Sequence, residues 1–146
     1  MSSKRSALAS ICQKYGVTLM YLFGSQRGVA LQIIAGQSLA VTDPLADIDV
    51  GVVFGAPLPQ GRERARLYSF LFNDLEDIFA PHATDLVLLE ENHSVFQSEA
   101  VLGTCVYAAT AEAKDAYEEA ILRRASDFRP FLEQYYQELL EAKVSG

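Results

Sequence analysis

The sequence has few of the side chains that form disulfides or zinc sites. Its 146 residues include two cysteines, Cys12 and Cys105, and two histidines, His82 and His93. The cysteines lie far apart in apolar segments, which predicts free buried thiols in a cytoplasmic protein rather than a disulfide. No cysteine pair accompanies the histidines, so a structural zinc site is not expected. His82 is predicted to be a solvated loop residue, and contact with a site near Asp85 is the alternative.

Long apolar runs are also missing. The longest stretch without a charged residue, 28–42, contains glutamines and a glycine and is too short to span a membrane. The first ten residues have no apolar segment behind their charges, so a secretory signal is not expected either. Hydrophobic residues make up 50% of the chain and charged residues 21%. This balance is typical of a globular protein, and the length suits one domain over residues 1–146.

Basic residues are absent from the middle of the chain, and the net charge is −7. No lysine or arginine occurs between Arg66 and Lys114, although this segment contains many carboxylates. Proteins that bind DNA or RNA need basic surface to neutralise the phosphates. We therefore expect neither a long nucleic acid nor a membrane as a partner.

The hydrophobic pattern predicts an α+β domain with two appended helices. Strands are expected over 17–23, 47–54, 83–90 and 104–109, and helices over 3–14, 25–36, 62–79 and 95–102. In the second helix, Ser25 would lie near the N-cap. A C-terminal pair of helices would occupy 114–125 and 127–143, with Pro130 in the first turn of the second. The domain core then covers about residues 1–109 and the helical pair about 111–143.

The last predicted helix carries more aromatic and leucine side chains than its own packing requires. They are Phe128, Phe131, Leu132, Tyr135, Tyr136, Leu139 and Leu140. Burial in the domain core is the first explanation. A protein–protein interface is the alternative, because exposed aromatic residues concentrate at such surfaces.

Three aspartates stand at the starts of predicted apolar strands. Side chains alternate along a strand, so Asp47 and Asp49 point to the same face, about 7 Å apart. Such like charges repel each other and favour a counter-cation, although a solvated strand end is the alternative for this pair taken alone. Asp85 has the same position in the third strand. If the two strands are neighbours, three carboxylates converge on one sheet edge and form a donor set that suits Mg²⁺.

A Gly-Ser pair follows the first predicted strand. A strand that leads through Gly24 and Ser25 into a helix presents backbone N–H groups and a hydroxyl to an anion. Glycine also allows the backbone to approach a ligand closely. The pair alone is typical of an ordinary turn. Because it precedes the aspartates, it favours a site for a triphosphate and its metal ions.

These residues, in this order, resemble the DNA polymerase β-like nucleotidyltransferase superfamily. The chain is most similar to the small prokaryotic minimal nucleotidyltransferases (MNT) of the antitoxin type. The resemblance covers about residues 17–109 and is carried by "LFGS", "DIDVGVVF", "TDLVLLE" and "VFQSEAVLGTCVYAA". It implies a small mixed β-sheet flanked by helices. It also implies a nucleotide site at Gly24, Ser25 and Arg27, and a catalytic site for Mg²⁺ or Mn²⁺ at Asp47, Asp49 and Asp85.

The chain departs from the family pattern between the two motifs. The 21 residues between Ser25 and Asp47 exceed the family's usual spacing, and Ala46 stands where the family often has a serine. The insert, about residues 29–42, is apolar enough to pack. We expect it to form an extended loop and helix over the pocket.

The resemblance implies that the protein transfers a nucleotide, AMP from ATP, to a hydroxyl acceptor. Asp85 would help to deprotonate that hydroxyl, and a tyrosine or other hydroxyl of a HEPN-type toxin would make the protein an antitoxin. A catalytically silent binding module that neutralises its partner by contact is the alternative. A small-molecule (antibiotic) nucleotidyltransferase is a third option, although such enzymes usually carry a larger C-terminal domain. The acceptor, the nucleotide base and the oligomeric state, a homo-oligomer included, stay open.

Overall fold

The computed structural model describes residues 3–145. Side chains at positions 94–96, 128–132, 135, 136, 139 and 142–145 lie outside the described part. The elements are α1 (Ser3–Tyr15), β1 (Val17–Phe23), α2 (Arg27–Ile34), β2 (Ile48–Phe54), α3 (Gly61–Phe79), β3 (Thr84–Leu88), α4 (Ser94–Val101), β4 (Thr104–Ala108) and α5 (Ala111–Ser145), with a short 3₁₀ turn over Leu89–Glu91.

The four strands form one mixed sheet in the order β3–β2–β1–β4. β1 is antiparallel to both of its neighbours, whereas β2 and β3 run parallel. The end of β1 therefore lies at the same sheet edge as the starts of β2, β3 and β4. The predicted small mixed sheet flanked by helices is confirmed.

Helices cover both faces of the sheet. On one face, Leu8 of α1, Ile34 of α2 and Leu71 of α3 pack in a core that includes Val50 and Leu86 of the sheet. On the other face, a second core joins β1 to α4 and α5. Alternate residues of β2 divide between the two faces, because strand side chains alternate.

The outer edge of β3 is closed by two side chains. The Tyr68 hydroxyl donates a hydrogen bond to the Leu86 carbonyl oxygen (2.9 Å), and the Asn92 side-chain amide donates one to the Leu88 carbonyl oxygen (2.8 Å). Tyr68 belongs to α3, so the same contacts fix that helix against the strand.

The predicted C-terminal helical pair is wrong, because α5 is one helix of 35 residues. No glycine occurs between Gly103 and Gly146, so this segment lacks the residue that most often ends a helix. Pro130 removes one backbone donor but does not end the helix. The predicted aromatic face falls on Phe128, Phe131, Leu132, Tyr135, Tyr136 and Leu139, whose side chains lie outside the described part, while the described Leu140 is exposed.

The predicted start of the second helix is also wrong. α2 begins at Arg27, and its N-cap is Gln26, which makes no capping hydrogen bond through its side chain. The chain turns tightly first, since the Arg27 N–H donates to the Gly24 carbonyl oxygen (3.3 Å). The insert does not cover the site with its helix, because α2 packs into the core. A loop over 35–47 then leads to β2.

The state of the two cysteines and the character of the helices were also predicted from the sequence. Cys12 and Cys105 are free thiols, as predicted, and Cys12 is buried. The predicted burial is wrong for Cys105, which is partly exposed. Within residues 3–145, no helix combines the length and the apolar character that a membrane span requires.

Candidate active site

The topology brings the predicted carboxylates to one edge of the sheet. Asp49 and Asp85 are register partners on the parallel strands β2 and β3, so the two strands are neighbours as the carboxylate hypothesis required. Asp47 lies one residue before β2. Asp49 is half-buried, whereas Asp47 and Asp85 are exposed. The most enclosed of the three carboxyl groups is thus the central one.

The surroundings of Asp49 disfavour its charge. Burial raises the pKa of Asp49, and the charge of Asp85 together with a hydrogen bond to its side chain raises it further. Asp47 makes the smallest contribution in the same direction. The ionised form of Asp49 is therefore destabilised by its surroundings, and a cation between Asp49 and Asp85 would relieve that cost.

Gly24 lies directly against the Asp49 carboxylate. Phe23 is the register partner of Asp49, and the chain leaves the strand at Gly24 with a φ of +80°. A Cβ atom at Gly24 would lie 2.1 Å from Oδ2 of Asp49. The sequence predicted a triphosphate contact for Gly24 but did not indicate its contact with the Asp49 carboxylate. The signal that could have revealed it is the antiparallel pairing of the "LFGS" and "DIDV" segments.

Ser25 and Arg27 follow in the turn and at the first position of α2. Both side chains are exposed, and both come within four residues of Phe23, the partner of Asp49. The structure thus places a hydroxyl and a guanidinium near the edge that carries the three carboxylates. Ser25 does not cap the helix, so its hydroxyl is not engaged there.

The donor set fits a divalent ion only in part. Among the described side chains, no group of three or more His, Cys, Asp or Glu residues is placed to hold a metal ion. Asp49 and Asp85 are register partners on neighbouring strands, and protein sites for Mg²⁺ often supply one or two carboxylates while phosphates and water complete the shell. The residues therefore fit Mg²⁺ or Mn²⁺ in company with a triphosphate, whose phosphate oxygens would complete the shell.

The prediction that His82 is a solvated loop residue is wrong. Its exposed fraction is 8%, and its Nδ1 atom is buried without a hydrogen-bond partner. The turn between α3 and β3 carries the residue inward, since the His82 N–H donates to the Phe79 carbonyl oxygen (2.9 Å). Thr84, two residues later, is buried in the same way.

Comparisons with known proteins show the fold. No family model and no curated protein matches the sequence. A chain of the MntA–HpeT toxin–antitoxin, in a doubly substituted form, matches with a TM-score of 0.65 and 15% identity, over 93% of this chain and 98% of that one. A chain from the complex between a tri-AMPylated Shewanella oneidensis HEPN toxin and an MNT antitoxin matches with a TM-score of 0.62 and 15% identity. The match covers 94% of this chain and 96% of that one.

A toxin–antitoxin structure with AMP-PNP also matches, with a TM-score of 0.64 and 16% identity, over 93% of this chain and 98% of the other. The chain therefore has the fold found in these MNT toxin–antitoxin structures along almost its whole length. This agrees with the fold that the motif resemblance implied.

Proposed function

We propose that the protein is a nucleotidyltransferase that transfers AMP from ATP to a hydroxyl of a HEPN-type toxin and thereby acts as its antitoxin. The observation that carries the proposal is the close approach of Gly24 to the Asp49 carboxylate, which lies in register with Asp85 on the neighbouring strand. The similar structures supply the context, since one holds AMP-PNP and another an AMPylated HEPN toxin.

In this proposal each side chain has a defined task. Asp49 and Asp85 hold Mg²⁺ or Mn²⁺ together with the triphosphate, and Asp47 adds negative charge beside them. The bound ion supplies charge neutralisation for the phosphates. Ser25 and Arg27 bind the phosphates from the turn that follows β1 and leads into the N-terminus of α2, an end of a helix that favours an anion.

In the transfer step, Asp85 is the proposed base that accepts the proton of the acceptor hydroxyl. The acceptor hydroxyl oxygen forms a bond to the α-phosphorus of ATP, and the bond from that phosphorus to the bridging oxygen breaks. Pyrophosphate leaves, and the Asp85 carboxylate accepts the hydroxyl proton. Asp85 suits this task because its side chain is solvent-accessible, whereas Asp49 is half-buried behind Gly24.

A contact-only module is the second candidate. It is favoured by one observation, that no group of three ligand side chains is found among the described residues. Such a module would keep the fold and neutralise the toxin without using ATP. The two candidates differ in whether neutralisation needs Asp49.

Label transfer tests the proposal. The protein is incubated with α-labelled ATP, Mg²⁺ and a HEPN-type toxin whose toxicity it suppresses on co-expression. We expect the toxin to become labelled, and Asp49→Asn to lower the rate by a factor on the order of 10² or more, because metal-held charge stabilisation is worth several kcal/mol. Asp77→Asn, an exposed position on α3, is the matched control and should leave the rate unchanged.

Two results would contradict the proposal. Suppression without label transfer in the wild type, retained in Asp49→Asn, would establish the contact-only module. Failure to suppress any HEPN-type toxin would remove the antitoxin role. A thermal melt with Mg²⁺–ATP reports on the nucleotide site independently, since a ligand that binds the native state raises its stability.

A further inference from the structure

Two side chains hydrogen-bond to the outer edge of β3, and one of them does so beside a candidate site residue. Tyr68 donates to the carbonyl oxygen of Leu86, and Asn92 donates to that of Leu88. Leu86 directly follows Asp85 in the strand, whereas Leu88 is three residues away from Asp85. The two hydrogen bonds therefore belong to the same edge but differ in their distance from Asp85.

The Asp85 side chain has little packing of its own. It is exposed, and β3 lies at one end of the sheet, where β2 is its neighbour. Thr84, the residue before it, is buried, but its Oγ1 atom has no hydrogen-bond partner in the described part of the chain. The position of the Asp85 carboxylate therefore depends on how the backbone around it is held.

That backbone is held from two sides. On the inner side, the Ile48 N–H donates to the Ala83 carbonyl oxygen (2.8 Å), which joins the start of β3 to that of β2. On the outer side, the Tyr68 hydroxyl donates to the Leu86 carbonyl oxygen (2.9 Å). Standard backbone dimensions then put this hydroxyl within about 10 Å of the Asp85 Cα atom. The outer contact comes from a side chain, so a substitution can remove it and leave the strand pairing intact.

The Tyr68 ring is itself restrained by its neighbours. It stacks on the ring of Phe72, with centroids 6.1 Å apart and planes inclined by 9°. The central guanidinium carbon of Arg64 lies 6.0 Å from the centroid of the Tyr68 ring, and the guanidinium donates two hydrogen bonds to the Glu91 carboxylate. Restraint of this kind is what a precise site requires of the residues that support it.

Tyr68 and Asp85 are also coupled electrostatically. Burial raises the pKa of Tyr68, and the charge of Asp85 raises it further, while the charge of Arg64 lowers it. Because the pKa stays above the ordinary value of 10.0, the hydroxyl is protonated at neutral pH. It therefore remains a donor to the Leu86 carbonyl oxygen under the conditions of transfer.

We propose that Tyr68 is a positioning residue, which sets the place of the Asp85 carboxylate through its hydrogen bond to Leu86. This inference rests on the proposed function and deepens it, since it adds a residue that acts through the proposed base. A general base must lie within hydrogen-bond reach of the proton that it removes. A displacement of about 1 Å can lower a rate by about a hundredfold, so Tyr68 controls the rate without contacting either substrate.

The test measures label transfer to the HEPN-type toxin in Tyr68→Phe, which removes the hydroxyl and keeps the ring. Asn92→Leu is the matched control, because it removes the other hydrogen bond of the same edge. We expect Tyr68→Phe to lower kcat by about tenfold or more and to leave the KM for ATP within about twofold. Asn92→Leu should change neither, although each variant loses one hydrogen bond and both should be destabilised by similar amounts in urea. Equal losses of kcat in the two variants would overturn the proposal.

A double-mutant cycle with Asp85→Asn distinguishes positioning from a general loss of structure. If Tyr68 acts through Asp85, Tyr68→Phe should not lower the residual rate of Asp85→Asn any further, because residues that act as a unit are not additive. A further loss in that background would show that Tyr68 acts by another route and would overturn the proposal.

A measurement without transfer separates this inference from the proposed function. The NMR resonance of the Asp85 side-chain carboxyl carbon in the free protein should shift in Tyr68→Phe and stay unchanged in Asn92→Leu. An unchanged resonance in Tyr68→Phe would overturn the positioning role even if the toxin is labelled. If the wild type transfers no label, the proposed function fails, and this resonance alone decides whether Tyr68 sets the place of Asp85.

Discussion

The two faces of β2 serve different purposes although they alternate along one strand. Ile48, Val50 and Val52 are at most 1% exposed and pack against the helices of the first core. Asp49, between them in sequence, faces the opposite side and meets Gly24 and Asp85 at the edge. The first face is apolar along the whole strand, whereas the second, which also packs against a core, begins with Asp49, whose ionisation the fold disfavours. Neighbouring residues of β2 therefore belong to the first core and to the candidate site, as Val50 and Asp49 do.

The largest effect on stability should come from the apolar face. Leu71 of α3 is fully buried in the first core, and Leu71→Ala should lower the free energy of unfolding by about 2–5 kcal/mol, because it leaves a cavity. Phe70→Ala, at the neighbouring exposed position, should cost far less. Urea unfolding of both variants measures this, and equal losses would contradict the assignment of this face to stability.

A smaller effect on the free energy of unfolding is expected at Gly24, the residue that directly follows β1. Gly24→Ala should lower the free energy of unfolding by about 1–3 kcal/mol, because a side chain there combines positive φ with a clash against Asp49. Gly36 also has positive φ (+102°), but its added Cβ would meet nothing within 4 Å. Gly36→Ala therefore measures the backbone cost alone.

The double variant Gly24→Ala with Asp49→Ala sharpens this result. If the clash with the carboxylate is real, the extra cost of Gly24→Ala over Gly36→Ala should disappear once Asp49 is shortened. An extra cost that persists would show that Gly24 is required for another reason.

The smallest effect is a pH dependence carried by Asp49. Its pKa is raised above the ordinary 3.8 in the folded protein, so between the unfolded and folded pKa values the folded state binds more protons. Stability from this group is then highest at low pH and falls as the pH rises through that window. Asp49→Asn should flatten this fall in the apo protein, and unfolding at a series of pH values from 3 to about 7 measures the difference. An unchanged profile would contradict the raised pKa.

The strands were predictable because each is a short apolar or alternating run with a turn signal at its end. The first strand has the predicted bounds, and β2 and β3 differ from the predicted ranges only at their ends. α5 was not predicted as one helix, because Pro130 is typical of the first turn of a new helix. The absence of a glycine before it was the one local signal for a continuous helix. α2 begins two residues after its predicted start, because the chain first makes a tight turn from Gly24 to Arg27.

The aspartates were found from their position in the strands, but their geometry was not. Whether β2 and β3 are neighbours depends on strand order, which no short stretch of sequence encodes. The contact between Gly24 and Asp49 depends on register. The burial of His82 depends on how the turn after α3 packs, so composition alone predicted the opposite.

The hydrogen bonds along the outer edge of β3 bear on how readily the protein aggregates when no partner is bound. A sheet edge with unoccupied carbonyl groups recruits strands from other chains and leads to aggregation. At β3 the carbonyls of Leu86 and Leu88 already accept hydrogen bonds from Tyr68 and Asn92, so an incoming strand finds these acceptors occupied. Pairing of a strand from another chain with β3 is therefore disfavoured at these two positions.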